Sequence, residues 1–561
     1  MGCIEDSIGG YRLERRTFTR KLVLAFPIIL LLIFLVYPVL TVVVKGLLSD
    51  SGSSFAEVIS SPSIQFGIQF TFFQALLSTL LVVTLGLPGA FILARLRFKG
   101  KSLVRALMIV PFVLPPIVVV IGFNQMFGAY GVIDSFLMWL QSSSLSVFNL
   151  ATGIPGIILA HTFYNIPLVL LLVSASLERL NPEIEESADL LGATSSQRFR
   201  RITLPHILPS LLASAILAFL FCFMSFPIIL AFGQGRFLTI EAQIWNAFRF
   251  FDYGKASSLT LIQIFITLTL ALVYVRLGRK SGNNGGATAS IKTIEFRQYR
   301  VRERMLIIAY VGMLMVLIIG PIVTILRAAV YNPNNGLLTL DGFSNLLTGG
   351  SHGGLTHLVN SLFYAGLATL FAVVLGIPLA LAMRSRSKII PTFASTMILL
   401  PLGVSSISVA YGLMLAIAVP TGLVTNPWPI IVIAQTIIGL PFSARAIEIA
   451  MRNIDQAVLD QADSLGASRL QRLLFVELPL LAPGILVGGV FAFAMAIGEM
   501  SATYLIALPQ NYTLAVSIYN NYATRHFVEA GAAALILVII CVIAFLVMER
   551  ISEGSTTGGA L

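Results

Sequence analysis

Long apolar runs separated by short polar segments recur along all 561 residues of this chain. About 20 consecutive apolar residues suffice for a helix to cross the hydrocarbon of a bilayer. Runs of that order lie at 22–44, 66–94, 106–128, 153–177, 207–232, 255–276, 305–327, 359–382, 392–418, 429–451, 482–508 and 527–548. The pattern predicts an all-α polytopic membrane protein of about twelve transmembrane helices. The first run, Leu22 to Val44, is too long for a signal-peptide core and lacks a small-residue cleavage site, so it reads as a retained span.

The punctuation of these runs repeats. Gly86-Leu87-Pro88-Gly89-Ala90 returns as Gly376-Ile377-Pro378-Leu379-Ala380, Pro111 as Pro401 and Gly122 as Gly412, each 290 positions later. Further along, Pro167 returns as Pro441 and Leu204-Pro205 as Leu478-Pro479, each 274 positions later. The difference of sixteen residues falls in the predicted outer connection between the third and fourth spans of the repeat, where a change of length is tolerated. Two halves of six spans share one orientation, because six crossings is an even number. The polar, glycine-rich stretch Gly278 to Gly286 reads as a flexible linker, which puts the halves at 1–290 and 291–561.

Composition agrees with the pattern: 57% of residues are apolar and 11% charged. The net charge of +11 changes the picture only once its location is considered. With a cytoplasmic N-terminus, all but six of the 36 Lys and Arg fall on the cytoplasmic side, including Arg12 to Lys21, Arg95 to Arg105, Arg276 to Arg304, Arg384 to Lys388 and Arg550. The exceptions are Lys45, Arg236, Arg249, Lys255, Arg327 and Arg525. That asymmetry is the positive-inside rule, so the basic balance reports topology and attraction to lipid headgroups rather than a nucleic-acid partner. Both termini are then cytoplasmic. Cys3, Cys222 and Cys541 are too far apart to form a disulfide framework or a metal site. Met1-Gly2-Cys3 has Asp6 where a myristoylation signal requires Ser or Thr.

One polar module occurs in both halves, at 178–206 and 452–479. It reads Glu186-Ser187-Ala188-Asp189-Leu190-Leu191-Gly192 with Leu204-Pro205, and again Asp460-Gln461-Ala462-Asp463-Ser464-Leu465-Gly466 with Leu478-Pro479. Glycine and proline are thirteen positions apart in each copy. Gly192 and Gly466 suit a sharp turn, and Pro205 and Pro479 suit the first turn of the helix that re-enters lipid. The module resembles the EAA loop of permease subunits of type I ATP-binding cassette importers: Glu-Ala-Ala, three residues, Gly, nine residues, Ile, one residue, Leu-Pro. The first copy has Ser187 in place of the first alanine; the second has Asp460, Gln461 and Val476 in place of Glu, Ala and Ile. The resemblance extends over essentially the whole chain. It implies a permease fold of two parallel six-helix repeats in a prokaryotic inner or plasma membrane. It also implies that Glu186, Ala188, Gly192, Leu204, Pro205, Asp460, Ala462, Gly466, Leu478 and Pro479 couple two cytoplasmic ATPase subunits to the spans, with an extracytoplasmic substrate-binding protein as a further partner.

Neither a catalytic residue, a metal site nor a cofactor is expected in the chain itself. Gly100-Lys101-Ser102 has Arg95 where a phosphate-binding loop needs its first glycine, so it reads as a basic loop. Four intramembrane polar positions are candidates for the substrate pathway. His161 has Gln435 as its repeat counterpart, and Glu499 has Ser225. His161 reads either as interhelix hydrogen bonding or as a cargo contact. Glu499 is an ionisable group deep in an apolar run, where it needs a cavity or a partner; cargo contact and helix-to-helix hydrogen bonding are both open. Phe219, Phe221, Phe223 and Phe226 offer cation–π contacts or plain packing. Within the importer family the double-length chain is similar to the thiamine and ferric-ion groups. This ranks thiamine or a related small organic cation first as cargo, ferric ion next, and molybdate, sulfate or polyamine after them. An ion-gradient-driven secondary transporter and a non-transporting membrane scaffold are the rival classes.

Overall fold

A computed structural model describes residues 26–48, 55–142, 145–282, 294–332, 336–348, 354–383 and 389–557. The basic tail from Arg12 to Lys21, Cys3, the centre of the predicted linker from Asn283, His352 and the cations from Arg384 to Lys388 lie outside the described residues. Among the described residues eleven helices are long and apolar enough to cross a membrane, and a twelfth apolar segment, Ser406–Thr421, is shorter.

The shortfall lies in the ninth run alone, since the third, fifth and eleventh runs each still supply one of the eleven, but four runs are broken. The third and ninth runs, expected as unbroken spans at 106–128 and 392–418, are each interrupted midway. Helix Lys101–Val113 stops at Leu114 and Pro115, and a new helix starts at Pro116. Tandem prolines disfavour helical backbone in the residue that precedes each of them. In the second half Ile389–Leu399 passes through a 3-10 turn at Leu400–Gly403 before Ser406–Leu413, whose N-terminal amide at Ser408 is capped by the Ser405 hydroxyl. The fifth and eleventh runs, expected unbroken at 207–232 and 482–508, break as well. Leu204–Phe223 gives way to Phe226–Phe232 across Met224 and Ser225, and Leu478–Ile497 to Ser501–Ile506 across Gly498 to Met500.

Packing divides the chain into two compact units that are not contiguous stretches of sequence. One comprises the described residues of 49–355 and 514–538; the other comprises those of 1–48, 356–513 and 539–561. The first unit therefore includes the seventh span, Val301–Val330, and the second includes the first span, Phe26–Leu47. Repeat-related small residues make room for each guest. In the first unit Gly122 lies directly against the backbone of Pro321, and Thr324 Oγ1 donates to the Gly122 carbonyl at 2.9 Å. In the second, Gly412 lies against Pro38. Lipid tails provide no hydrophobic drive for helix association, so close approach at small residues and interhelical hydrogen bonds carry it.

The same economy fixes the ends of the fourth and fifth spans that flank each polar module. Ala90, Val173, Leu177 and Ile207 belong to one buried cluster, and their repeat counterparts Ala380, Ile447, Met451 and Leu481 form the other. Leucine-rich faces such as Leu76 and Leu80 are more than half exposed, as suits contact with hydrocarbon. In each unit the cluster packs together the two helices that flank the polar module.

Candidate coupling elbows and intramembrane breaks

Each module folds as an elbow. In the first, Asn181 caps helix Pro182–Leu190 by accepting the Glu183 amide at 3.0 Å. The helix ends in a left-handed residue, Gly192 at φ +79°. There the Ala193 amide reaches back to the Ala188 carbonyl and the Gly192 amide to that of Asp189, both at 3.0 Å, which is a Schellman closure. The second elbow repeats every element. Asp455 caps Gln456–Ser464, Gly466 sits at φ +81°, and Ala467 and Gly466 return to Ala462 and Asp463 at 3.1 Å. Short helices Ser195–Arg198 and Arg469–Arg472 follow, with reciprocal caps between Thr194 and Gln197 and between Ser468 and Gln471.

Pro205 and Pro479 stand in the first turn of Leu204–Phe223 and Leu478–Ile497, as expected, but those helices are not separate: the chain enters each from a π-helical turn, Phe199–Thr203 and Leu473–Glu477 respectively. Proline inside a helix lacks an amide hydrogen and crowds the carbonyl four residues back. The wider turn, in which Leu204 bonds back to Phe199 and Leu478 to Leu473, lets the helix pass through continuously. The second arm of each elbow and the span that follows it are thus continuous, as Ser195–Phe223 and Leu470–Ile497.

What the elbows present outward is apolar. Leu190 and Leu191 are 89% and 87% exposed, and Leu465 is 89% exposed, beside the two glycines. Glu186, Asp460, Gly192 and Gly466 are exposed around them, Ala188, Ala462, Leu204 and Leu478 are half-buried against the elbow body, and Pro205 and Pro479 lie on its outer side.

Ion pairs that single-copy reading does not reveal brace both elbows. Arg198 pairs with Asp189, and Arg472 with Asp463 at 2.5 Å; the partners are nine residues apart in each copy, which is the signal that a comparison of the repeats contains. Arg472 also holds the buried Glu477 through Nε at 2.8 Å. Buried Glu185, on the first elbow helix, accepts from Arg95 at 2.6 and 2.8 Å and from Thr203 Oγ1 at 2.8 Å. Burial acts to raise its carboxyl pKa, but the hydrogen bonds from Arg95 and Thr203, with the Arg95 and Arg198 charges, outweigh it and hold the group below the ordinary glutamate value. Its repeat counterpart, Leu459, is buried too, and an acid aligned with a core leucine is the sequence sign of a buried carboxylate. Arg472→Ala is expected to cost about 1–3 kcal/mol, because Glu477 would lose its charged donor in a buried setting. Arg198→Ala should cost less, since Asp189 is nearly half exposed. Amide hydrogen exchange over 456–477 and 182–203 checks the order; faster opening of the first elbow in Arg198→Ala than of the second in Arg472→Ala would contradict it.

The intramembrane candidates resolve into two separate groups. In the first unit the His161 ring meets Ser78 Oγ at 3.2 Å through Nδ1, joining the fourth span to the second, while Nε2 has no hydrogen-bond partner among the described residues. Ser225 sits at the break of the fifth span with φ −116° and ψ 67°. In the second unit Glu499 sits at the matching break and caps the half-helix Ser501–Ile506. Its carboxylate accepts from the Ala502 amide at 2.7 Å, the Thr503 amide at 2.9 Å and Thr503 Oγ1 at 2.8 Å. Gln435 joins this group by donating to Thr503 Oγ1 at 3.5 Å, and its Oε1 has no partner among the described residues. The aromatic cluster packs: Phe72 stands 6.1 Å from Phe219 and 5.3 Å from Phe223, and Phe226 is 6.0 Å from Trp245. Gln74, which binds the Cys222 carbonyl at 2.9 Å, and the buried Glu241 with Gln263 at 3.1 Å are further polar links that hydropathy conceals.

A family model described as the binding-protein-dependent transport system inner membrane component matches residues 86–281 and again 372–556. The chain belongs to this family. It is a permease component of a transport system, a multi-pass inner-membrane protein with the permease domain present in tandem. Among similar curated proteins, the thiamine transport system permease protein ThiP of Escherichia coli is 26% identical over 490 residues, covering 86% of this chain and 88% of that protein. The putative ferric transport system permease protein FbpB 1 of Haemophilus influenzae is 26% identical over 494 residues, covering 85% and 76%. A solved bacterial ABC transporter involved in import of the acidic polysaccharide alginate aligns with 48% of this chain and 99% of its own at 19% identity and a TM-score of 0.38.

Proposed function

We propose that this permease is the whole transmembrane part of an importer powered by two separate cytoplasmic ATPase subunits, one docking on each elbow. An extracytoplasmic binding protein delivers the cargo, and both termini of the chain are cytoplasmic. The observation that carries the reading is the duplication of one rigid shape. Two elbows with the same caps, the same left-handed glycine and the same braced Asp–Arg pair each hold a bare leucine out in water. An apolar tip ringed by exposed Glu186 or Asp460 fits a groove on a partner, and fusion with its span lets a push on the tip move the membrane helix.

The cargo reading favours thiamine or a similar small organic cation, supported by the relatives named for thiamine transport, with ferric ion second. The pathway in each unit runs past the breaks at Ser225 and Glu499, with His161 and Gln435 beside it. Interrupted helices in transporters supply polar backbone where it lines a cavity, and matching interruptions in two repeats are a pointer to a transport site.

Reconstitution into proteoliposomes tests the reading. The chain alone, given proton or sodium gradients, is expected to show no concentrative uptake of radiolabelled thiamine. Adding the ATPase subunits that copurify with it, the binding protein and ATP should produce uptake. Robust concentrative uptake by the chain alone without ATP would assign it to the secondary transporters. Binding of thiamine or of ferric ion to the isolated binding protein decides between the two cargoes.

A further inference from the structure

The two elbows are attached to their units differently. On the first, the buried carboxylate of Glu185 holds Arg95, the last residue of the second span Pro62–Arg95, through both of its oxygens. Glu178, at the foot of the same elbow, accepts from Arg105 of the following helix at 2.8 Å. The chain after Arg95 forms strand β1, Leu96–Arg97, which pairs in parallel with β2, Ile294–Glu295. From β2 a 3-10 turn, Phe296–Gln298, leads directly into the seventh span. Beneath the pair lies a cavity of about 310 Å³ lined by Phe91, Arg95, Glu185, Arg198, Tyr299 and Ile307. The second elbow differs at both clamp positions: Leu459 stands for Glu185, and Ser385 is the sequence counterpart of Arg95. Its ion pairs among the described residues, Arg445 and Arg452 with Glu448 and Arg472 with Asp463 and Glu477, join residues at most nine positions apart.

We propose that Arg95 and Glu185 are positioning residues that clamp the first elbow to the second span and, through the paired strands, to the foot of the seventh. Movement of the first elbow is thereby carried to two spans, on a route with no counterpart among the described residues of the second half. The inference rests on the reading of the elbows as ATPase docking points. A two-point pair between guanidinium and carboxylate fixes direction as well as distance. Side-chain exposures of 22% for Arg95 and 10% for Glu185 keep water from screening it away. The open cavity beside it means that the nine-residue elbow helix is not packed on that side, so the pair rather than dense contact transmits displacement.

The test uses the full chain in nanodiscs with its copurifying ATPase subunits, a Lys99→Cys reporter just beyond β1, and Cys3→Ser to remove the tail thiol. Maleimide labelling of the reporter is timed without nucleotide and after trapping with ATP and vanadate, normalised to the amount of ATPase bound. In the parent protein the two rates are expected to differ by about fivefold or more, the low end of a typical coupling between two states. Arg95→Glu or Glu185→Arg alone should bring the ratio to near one, and the double exchange should restore it. An unchanged ratio in Arg95→Glu, a double exchange that restores nothing, or a parent ratio near one each overturns the clamp. A parent chain that retains no ATPase at all removes the docking reading first, before any variant is examined, and the clamp falls with it.

Discussion

Valine at Gly192 and Gly466 together is expected to abolish productive ATPase docking while the chain still inserts in the membrane. Both glycines adopt positive φ, +79° and +81°, at the position that closes the elbow helix. A Cβ added at either site meets nothing within 4 Å, so steric crowding by neighbours plays no part in the effect. The cost is local to the backbone. A β-branched side chain in the left-handed region costs about 1–2 kcal/mol per residue, so the elbow relaxes to another conformation and the exposed leucines beside it lose their presentation. An ATPase bound through those tips should then be retained about five- to thirtyfold less well per elbow, as each 1.4 kcal/mol is a factor of ten in binding. Asparagine, which tolerates positive φ, should recover much of the loss. Pull-down of the ATPase from solubilised membranes reads the result; wild-type retention in both single valine variants would exclude the elbows from docking.

Glu499→Gln should lower cargo uptake about tenfold at equal amounts of assembled complex, with a smaller loss of thermal stability. The carboxylate answers three donors at the start of Ser501–Ile506 and uses both oxygens to do so. Glutamine has one acceptor oxygen, and its amide nitrogen would point a donor at a backbone amide, leaving a buried group unmatched at a cost of about 1–3 kcal/mol. That structural cost is present whether or not cargo passes the residue. Glu499→Asp keeps the charge with a shorter reach, so it should share the stability loss while retaining more uptake if charge guides a cation. Equal uptake in wild type and Glu499→Gln, measured per assembled complex, would leave Glu499 as a helix cap alone.

The repeat explains which parts of the site are readable in one dimension. Spans, tandem halves and both elbow glycines follow from runs of apolar residues and from pairs of identical punctuation, because an amphiphile in a bilayer has few ways to satisfy its backbone. The caps at Asn181 and Asp455 are local too, and short-range spacing encodes them. Glu499 stands out for the same reason: a charge in an apolar run is visible to any reader. That it caps a half-helix is not visible, since hydropathy counts Gly498 to Met500 as three more residues of one span.

Sequence by itself determined the membrane class of this protein, its duplication, the position and shape of its two polar elbows, and thereby its family. Each of these depends on residues close together in the chain or on copies of one pattern, where composition and periodicity carry the physics directly. Tertiary structure alone decided where four of the spans break, that the first and seventh spans pack in the unit built mainly from the other half, and that Arg95 meets Glu185 from 90 positions away. Those outcomes depend on contact between distant segments, and in lipid such contacts are selected by close fit at residues like Gly122 and Gly412 and by the need to pair a buried charge, neither of which a hydropathy pattern expresses.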